Sequence, residues 1–350
     1  MTHTHESLQI TLDPWQTRRM KEWHGSIVRA HFDADCEPPE CELRVSAIGL
    51  LRGVGMIATA KSDSLELGDV KVEFVETQLP QPARLEAAIC TMRGNCPDQQ
   101  DAMWINGKVY QHPHCEPTSV RIGQNEALLV ICDGVSSSPD AARASRFAAL
   151  AMAERVKKHP DWSFDGLASA RHVRAAQEKL CERMQRRKLA YGASTTLVAA
   201  HIREDRLAVV NSGDSRAYLL RHDGKIERLS RDHTIKNQLL DSGEAQQGLE
   251  YASIYDALSD CLIADSEDSD TFAIHRETTT LKPGDRLILC SDGVHDAVDE
   301  TAWLVAMARQ DVPLWMVRDT EQMVVEAGAP DNFSVVALLI GDAPNGNKEA

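Results

Sequence analysis

Residues 126–134, Glu-Ala-Leu-Leu-Val-Ile-Cys-Asp-Gly, carry an apolar run that ends in an acid and a glycine. The run 128–132 is too short for a helix and rich in strand formers. Asp133 therefore stands where a buried strand leaves the core, and Gly134 leaves room for close backbone approach. The pattern returns at 285–293, Asp-Arg-Leu-Ile-Leu-Cys-Ser-Asp-Gly, with 287–290 as strand and Asp292-Gly293 as exit. A third acid, Asp331, opens the apolar strand 333–340. In an antiparallel sheet the start of one strand lies beside the end of its neighbour, so the three carboxylates are predicted to share one sheet edge. Carboxylates so placed repel one another unless cations lie between them, and an oxygen-only donor set suits Mg2+ or Mn2+ rather than zinc. One Asp-Gly pair alone reads more readily as a turn.

The elements that position these acids follow from periodicity. Strands are predicted at 85–92, 126–132, 195–202, 207–211, 217–221, 287–290 and 333–340, with a hairpin over 101–111 turning at Asn106-Gly107. The turn Ser212-Gly213-Asp214-Ser215 reads as the tip of a second hairpin, which places Asp214 between two strands. Ser138-Pro139-Asp140 reads as a helix start with Ser138 as N-cap, and the helix after it buries Phe147, Leu150, Ala151 and Val156. A second helix spans 167–188, keeping Leu167, Ala170, Val173, Leu180 and Met184 on one stripe. Helices at 300–309 and 315–327 precede the last strand. The stretch after the hairpin, rich in His and Pro (His112, His114, Cys115), reads as a loop. Residues 230–280 read as irregular and acidic, with Asp260, Asp265, Glu267, Asp268 and Asp270.

Domain boundaries come from composition. Residues 1–82 end in a Pro-rich joint at Pro80 and Pro82 and form an N-terminal extension of unknown role, either a small β-rich appendage or extra strands on the main fold. Residues 83–342 form the main domain, and 343–350 a frayed tail. The formal net charge of −15 over 350 residues argues against a nucleic-acid partner. The basic run Arg183, Arg186, Arg187, Lys188 reads as a solvated helix end. No apolar run nears the ~20 residues of a membrane span, and the N-terminus lacks a signal-peptide pattern. Of the nine cysteines, an odd number, Cys90, Cys132, Cys181 and Cys290 lie in apolar or helical stretches and read as free thiols of a reducing compartment, while Cys36, Cys41, Cys96 and Cys115 lie in loops without zinc-type spacing. A cytoplasmic protein with no membrane partner is the expectation.

Six short stretches then fall in a familiar order: 131–135, Gly192-Ala-Ser-Thr-Thr-Leu-Val, Asn211-Ser-Gly-Asp-Ser-Arg, Arg231-Asp-His-Thr, Ser291-Asp-Gly and Asp331-Asn332. Over roughly residues 85–341 the chain resembles the metal-dependent protein serine/threonine phosphatases of the 2C type, above all the bacterial members. The resemblance implies an α+β fold, a four-layer αββα sandwich of two antiparallel sheets packed face to face with helices on both outer faces. It implies hydrolysis of phosphoserine and phosphothreonine by attack of a water bridging two Mg2+ or Mn2+ ions, with a weaker third ion. Asp133 resembles the acid bridging two ions and the Gly134 carbonyl a ligand of the second. Asp292 and Asp331 look like ligands of the first. Asp101 matches an acid acting through metal-bound water, and Asp214, with Asp292 shared, matches the third-ion site. Arg93 resembles the arginine that clamps the substrate phosphate, and Asn332 a support for Asp331. The implied partners are a phosphorylated protein and a cognate Ser/Thr kinase.

The chemistry agrees. Two hard ions about 3.5–4 Å apart neutralise a phosphate dianion and lower the pKa of a bridging water, and an arginine fork matches phosphate geometry. Three departures stand beside the resemblance. The Arg93–Asp101 loop reads about three residues longer than the family spacing. Gln100 stands where Glu is common. The turn after Gly134 is Val135-Ser136-Ser137-Ser138, without a histidine as proton donor. His233 and His295 read as structural. A catalytically impaired pseudophosphatase, acting as a binding or regulatory module, is the alternative. A nuclease-like carboxylate site fits neither the charge nor the motif order.

Overall fold

Strands dominate because the apolar runs are short, β-branched and bounded by turns. The computed structural model describes residues 85–341 apart from 124, 160–165, 188–190 and 265–271, together with the backbone of five strands before them. The chain divides into two compact units, Met1–Pro82 and Ala83–Ala350. In the first, β1 (Ile27–His31), β2 (Glu40–Val45), β3 (Leu51–Gly53), β4 (Ser64–Leu67) and β5 (Val70–Phe74) form an antiparallel sheet in the order β3-β2-β1-β5-β4.

The second unit is built from two six-stranded antiparallel sheets. One contains β7 (Ala102–Ile105), β8 (Lys108–Tyr110), β10 (Glu126–Cys132), β12 (Leu197–Arg203), β13 (Arg206–Ser212) and β17 (His275–Thr280), in the order β17-β13-β12-β10-β7-β8. The other contains β6 (Leu85–Met92), β9 (His114–Val120), β14 (Arg216–Leu220), β15 (Ile226–Arg228), β18 (Arg286–Cys290) and β19 (Phe333–Ile340), in the order β15-β14-β18-β19-β6-β9. A short pair, β11 (Ser194–Thr195) with β16 (Leu262–Ile263), stands apart. Alternate residues of the strands meet in a common core: Leu85, Ala87 and Ile89 of β6, Met103 and Ile105 of β7, Leu129 and Ile131 of β10, Val198 and Ala200 of β12, Leu287 and Leu289 of β18. The two sheets therefore pack face to face.

The opposite faces are covered by helices. Leu128, Val130 and Cys132 pack with Phe147 and Met152 of α1 (Ala141–Lys158) and with Val173 and Leu180 of α2 (Gly166–Arg186). On the second sheet, α5 (Glu300–Ala308) and α6 (Pro313–Glu326) form the outer layer. Tyr218 meets the Trp303 ring edge-on with centroids 5.7 Å apart, and the Trp303 indole donates to Thr320 Oγ1 at 2.9 Å. This is the four-layer αββα sandwich of the sequence reading.

Several local expectations change. Helix α1 starts three residues after Ser138: Asp140 holds the cap position with φ 51° and no side-chain cap bond. Ser138 is spent elsewhere, its Oγ accepting from Ser194 N at 3.0 Å. Leu150 is partly exposed rather than buried. The His/Pro stretch is an edge strand, β9, whose exposed polar face and Pro117 hid its alternation. The segment 230–280 is not irregular throughout, since it holds α3 (Ile235–Ser242), capped by Thr234, and β17. The acids Asp265, Glu267, Asp268 and Asp270 lie outside the described residues. The Asp214 turn is no hairpin tip. Its flanking strands belong to different sheets, β13 pairing with β12 and β17 while β14 pairs with β15 and β18. The chain crosses between the layers there.

Candidate active site

The columns of side chains facing the inter-sheet core turn polar at one end. In β10 the sequence Leu129, Ile131 continues to Asp133; in β7 Met103 is preceded by Asp101; in β12 Val198 is preceded by Thr196. In the facing sheet Ile89 leads to Thr91, Leu289 to Ser291, and Val336 is preceded by Ser334. Antiparallel registers bring these positions together: Cys132 lies opposite Ala102, and Met92 opposite Phe333. Hydrogen bonds close the two ends on each other. Ser291 Oγ donates to Asp101 Oδ2 at 2.8 Å, and the Thr196 and Ser215 hydroxyls meet at 2.7 Å. The acids thus do not share one sheet edge, as period and strand order suggested. Asp133 closes one sheet, Asp292 and Asp331 the other, and the site lies where the two sheets open.

Four carboxylates crowd this opening. Asp101 is fully buried, its N–H donating to Gln99 Oε1 at 3.0 Å and its Oδ1 lacking a partner. Burial pushes its pKa up to about 7, with Asp292 adding to the rise against the lowering bond from Ser291. Burial, then the charges of Asp292 and Asp101, raise Asp133 well above the carboxylate range. Burial raises Asp292 too, and the carboxylates of Asp133 and Asp292 act on each other. Asp214 is pushed up to about 8, by burial first and Asp292 second, and its Oδ1 also has no partner. Among the described residues no Lys or Arg is paired with these acids; Arg216, the nearest basic residue in sequence to Asp214, is spent on Asp232 at 2.7 Å.

The backbone around the acids is tightly specified. Asp133 N donates to Thr196 Oγ1 at 3.0 Å, while its carbonyl accepts from Thr196 N at 2.7 Å and Thr195 Oγ1 at 2.8 Å. A side chain at Gly134 would run into the Ala141 carbonyl, and one at Gly293 into that of Asn332. The glycine after each acid is therefore demanded by a neighbouring chain segment, not by a ligand. Gly213, at φ 101°, lies against Thr196, which aims the crossing turn that carries Asp214.

Asp331 is exposed, and its Oδ1 accepts from Asn332 N at 2.7 Å and faces Cys96 Sγ at 3.1 Å. Asn332 does more than support Asp331. Its amide donates to the carbonyls of Arg93 (2.7 Å) and Asp98 (3.0 Å), and its Oδ1 accepts from Gln100 N at 2.6 Å. It fixes the loop that carries Arg93 and leads to Asp101. Arg93 is exposed and donates to Pro97 O at 3.1 Å, within its own loop. His233 Nδ1 accepts from Gly213 N at 3.0 Å, and burial lowers its pKa, so it is a neutral brace for the Asp214 turn. His295 pairs with Asp296 at 2.9 Å and lies 3.3 Å from the Asp214 carbonyl. Both histidines are structural, as their sequence context suggested. What sequence reasoning missed is the ring of hydroxyls, Thr91, Thr196, Ser291 and Ser334; strand parity continued two residues past the apolar run would have found it.

Among the described residues no three His, Cys, Asp or Glu side chains stand as a ready-made metal cage. The donor set nonetheless fits hard divalent cations: all oxygen, four acids held close against their own repulsion, and two buried oxygens, on Asp101 and Asp214, with nothing to bond. The profile of the family described as protein phosphatase 2C matches residues 115–324, more than half of the chain.

The chain belongs to the protein phosphatase 2C family.

Its sequence is 29% identical over 222 residues to the serine/threonine protein phosphatase PstP of Mycobacterium tuberculosis, covering 63% of this chain and 42% of that protein. It therefore spans about two fifths of the length of that relative. A serine/threonine phosphatase of Listeria welshimeri is 26% identical, over 51% of this chain and 70% of the other. The PstP catalytic domain, solved in complex with two manganese ions, superposes with a TM-score of 0.55 at 25% identity, over 74% of this chain and 99% of that one. The matched portion of that structure is the size of the sandwich unit.

Proposed function

We propose that the chain is a metal-dependent protein phosphatase that hydrolyses phosphoserine and phosphothreonine. The observation that carries this reading is the convergence of Asp101, fully buried, with Asp133, Asp214 and Asp292, half-buried, all four raised in pKa, at one end of a 2C-type sandwich. Perturbed acids in a cleft mark function more often than scaffold. The PstP domain with its two manganese ions supports Mn2+ or Mg2+ as cofactor here.

In this reading Asp133, the Gly134 carbonyl, Asp292 and Asp331 would hold two ions, and Asp101 would support the second. Asp214 with Asp292 forms a weaker third. Bound there, the ions supply charge neutralisation and an acidified water for attack on phosphorus. The protein's own part is to hold Asp101 through Ser291 and to fix the Arg93 loop through Asn332. Arg93 leaves Pro97 O to bind the phosphate dianion. A phosphorylated protein is the substrate and a Ser/Thr kinase the opposing partner. A cytoplasmic setting is supported by free thiols at all seven described cysteines. Among the described residues no helix is long and apolar enough to cross a membrane.

The pseudophosphatase reading draws on Gln100 in place of a carboxylate and on the guanidinium of Arg93 bonding its own loop. The deciding experiment is hydrolysis of an aryl phosphate and of phosphothreonine peptides with Mn2+, Mg2+ or chelator. Turnover that requires the ion supports the phosphatase. Silence with every ion, in protein that binds Mn2+, would establish the binding module instead.

A further inference from the structure

The helical layer over the β10 sheet is basic in an acidic protein. Residues 141–188 hold twelve Lys and Arg against five Asp and Glu, although the chain carries a net charge of −15. The helical layer of the other sheet, residues 299–326, holds six Asp and Glu against Arg309 and Arg318. One end of the basic layer adjoins the acid-lined opening, because α1 begins there. A side chain at Gly134 would strike the Ala141 carbonyl, Ser145 Oγ donates to Gln100 O, and Gly134 N donates to the same oxygen at 3.2 Å. Gln100 and Gly134 are the chain neighbours of Asp101 and Asp133. Helix α2 runs antiparallel to α1, so its last turn returns to this end. Arg155 Nε donates to His172 Nδ1 at 2.9 Å near the start of α2, whereas Phe147 meets Arg183 and Arg187 at its close. Five arginines are thereby gathered beside the opening: Arg143 and Arg146 from α1, and Arg183, Arg186 and Arg187 from the end of α2. Lys188 lies outside the described residues.

Three of the five are braced. Arg143 pairs with Asp140 at 2.6 Å, Arg183 pairs with Glu154 and donates to Phe147 O at 3.3 Å, and the Arg187 guanidinium stacks over the Phe147 ring, 4.8 Å from its centroid. Arg146 and Arg186 are exposed, Arg186 with 74% of its side chain in solvent and Glu182 at 3.6 Å. Five arginines thus face three acids, and the cluster keeps a positive excess. We propose that this end of the α1–α2 layer is a docking surface for an acidic stretch of the phosphorylated substrate. The inference rests on the phosphatase reading and adds the class of substrate to it. Charge complementarity selects the occupant: guanidinium forks match carboxylates, and they stand beside an opening whose own acids repel an acidic peptide. Length sets the spacing. From Ala141 to Phe147 the helix rises ~9 Å, which an extended peptide covers in about three residues, so the acids lie about three to five residues from the phosphorylated one. A bilayer laid against this end would crowd the opening, so a peptide segment fits it better than a lipid surface.

The test is kcat/KM of the full chain with Mn2+ for phosphothreonine peptides that carry either Glu or Gln at the third to fifth positions on both sides. Wild type is compared with the arginine pair Arg146→Gln/Arg186→Gln and with the lysine pair Lys157→Gln/Lys158→Gln, which removes two exposed charges at the far end of α1. The expected result is a preference for the Glu peptide of about tenfold at low salt that disappears by ~0.5 M salt. The arginine pair should cut it to about twofold and the lysine pair should leave it in place. Anisotropy of a labelled, unphosphorylated Glu peptide with chelated protein should rank the three proteins in the same order. Equal kcat/KM for the two peptides at low salt, a preference indifferent to the arginine pair, or an equal loss in both pairs overturns the proposal. Binding to phosphatidylglycerol vesicles that the arginine pair weakens, with no preference between peptides, assigns the face to a lipid surface and also overturns it. Silence toward every phosphopeptide and every ion, with anisotropy weakened by the arginine pair alone, leaves the acid-binding surface standing and overturns the phosphatase reading.

Discussion

Asp101 and Asp285 are both fully buried, and each immediately precedes a strand, yet they lie at opposite ends of the sandwich and have opposite fates. Burial pushes up the pKa of Asp285, but its donors more than offset this and hold it below the carboxylate range: His222 N at 3.0 Å, Lys282 N at 2.9 Å and Arg221 at 3.0 Å. Every oxygen is used. Asp101 has Ser291 on one oxygen and nothing on the other, so burial, with the charge of Asp292 added, raises it instead. Equal burial of one side chain thus gives a structural joint at one end and a cation-seeking site at the other. The partners decide, and they can be counted.

The largest effect that would test this contrast is on turnover. Asp292→Asn keeps size and removes charge, and if the site works through ions it loses several kcal/mol of transition-state stabilisation, a fall in kcat of ~1000-fold or more. Circular dichroism should show the fold intact; Mn2+-dependent activity that survives would remove Asp292 from the site. The sharper half of the comparison is stability. Asp285→Asn weakens the bonds from Arg221 and His222, although Arg221 keeps Glu227, and should cost about 2 kcal/mol in denaturant unfolding, while Asp292→Asn, measured with chelator, should leave stability level or raise it by relieving repulsion. Equal losses at both positions would erase the distinction between the two ends.

The pH dependence carries opposite signs. Asp101 and Asp214 have folded pKa values raised to about 7 and about 8, above their unfolded value, so their contribution is complete in acid and is lost as pH rises through 7 and 8. Asp285 and Asp232 have lowered values, so their contribution is present above the unfolded value near 3.8 and vanishes as pH falls below it. Chelated protein should therefore melt about 5 °C lower at pH 8 than at pH 5.5, and saturating Mn2+ should abolish or invert that slope. A flat profile in chelator would mean that the acids at the opening are already compensated.

The smallest change expected is at Arg93. Arg93→Ala should raise KM for phosphopeptides by about tenfold and leave calorimetric Mn2+ affinity unaltered, because the guanidinium faces its own loop and not the acids. A fall in kcat at constant KM would give the residue another role.

Much of this was legible in the chain. The apolar runs ending at Asp133 and Asp292 and the strand opening after Asp331 marked three of the four central strands, β10, β18 and β19, because period and length left little else for them to be. The crossing at Asp214 was not legible: Asn211-Ser-Gly-Asp-Ser-Arg has the composition of a hairpin turn, and only long-range pairing sends β13 and β14 to different sheets. Strand β9 was missed because an edge strand with one solvated face needs few apolar residues. The role of Asn332 was half read. Its neighbour Asp331 gave the position, but its bonds run to residues 93, 98 and 100, far away in sequence.

The split of the acids between layers has a mechanical consequence. Asp133 extends one sheet and Asp292 the other, and below them the layers meet mainly through side-chain packing, which resists sliding only as far as it interlocks. An ion gripped by both acids is a rivet through the laminate at its open end. Load applied to either sheet would then be shared with its neighbour, and the frayed lip of the sandwich would stiffen as one piece. Amide hydrogen exchange at the last residues of β10 and β18 should accordingly slow in step when the ion arrives.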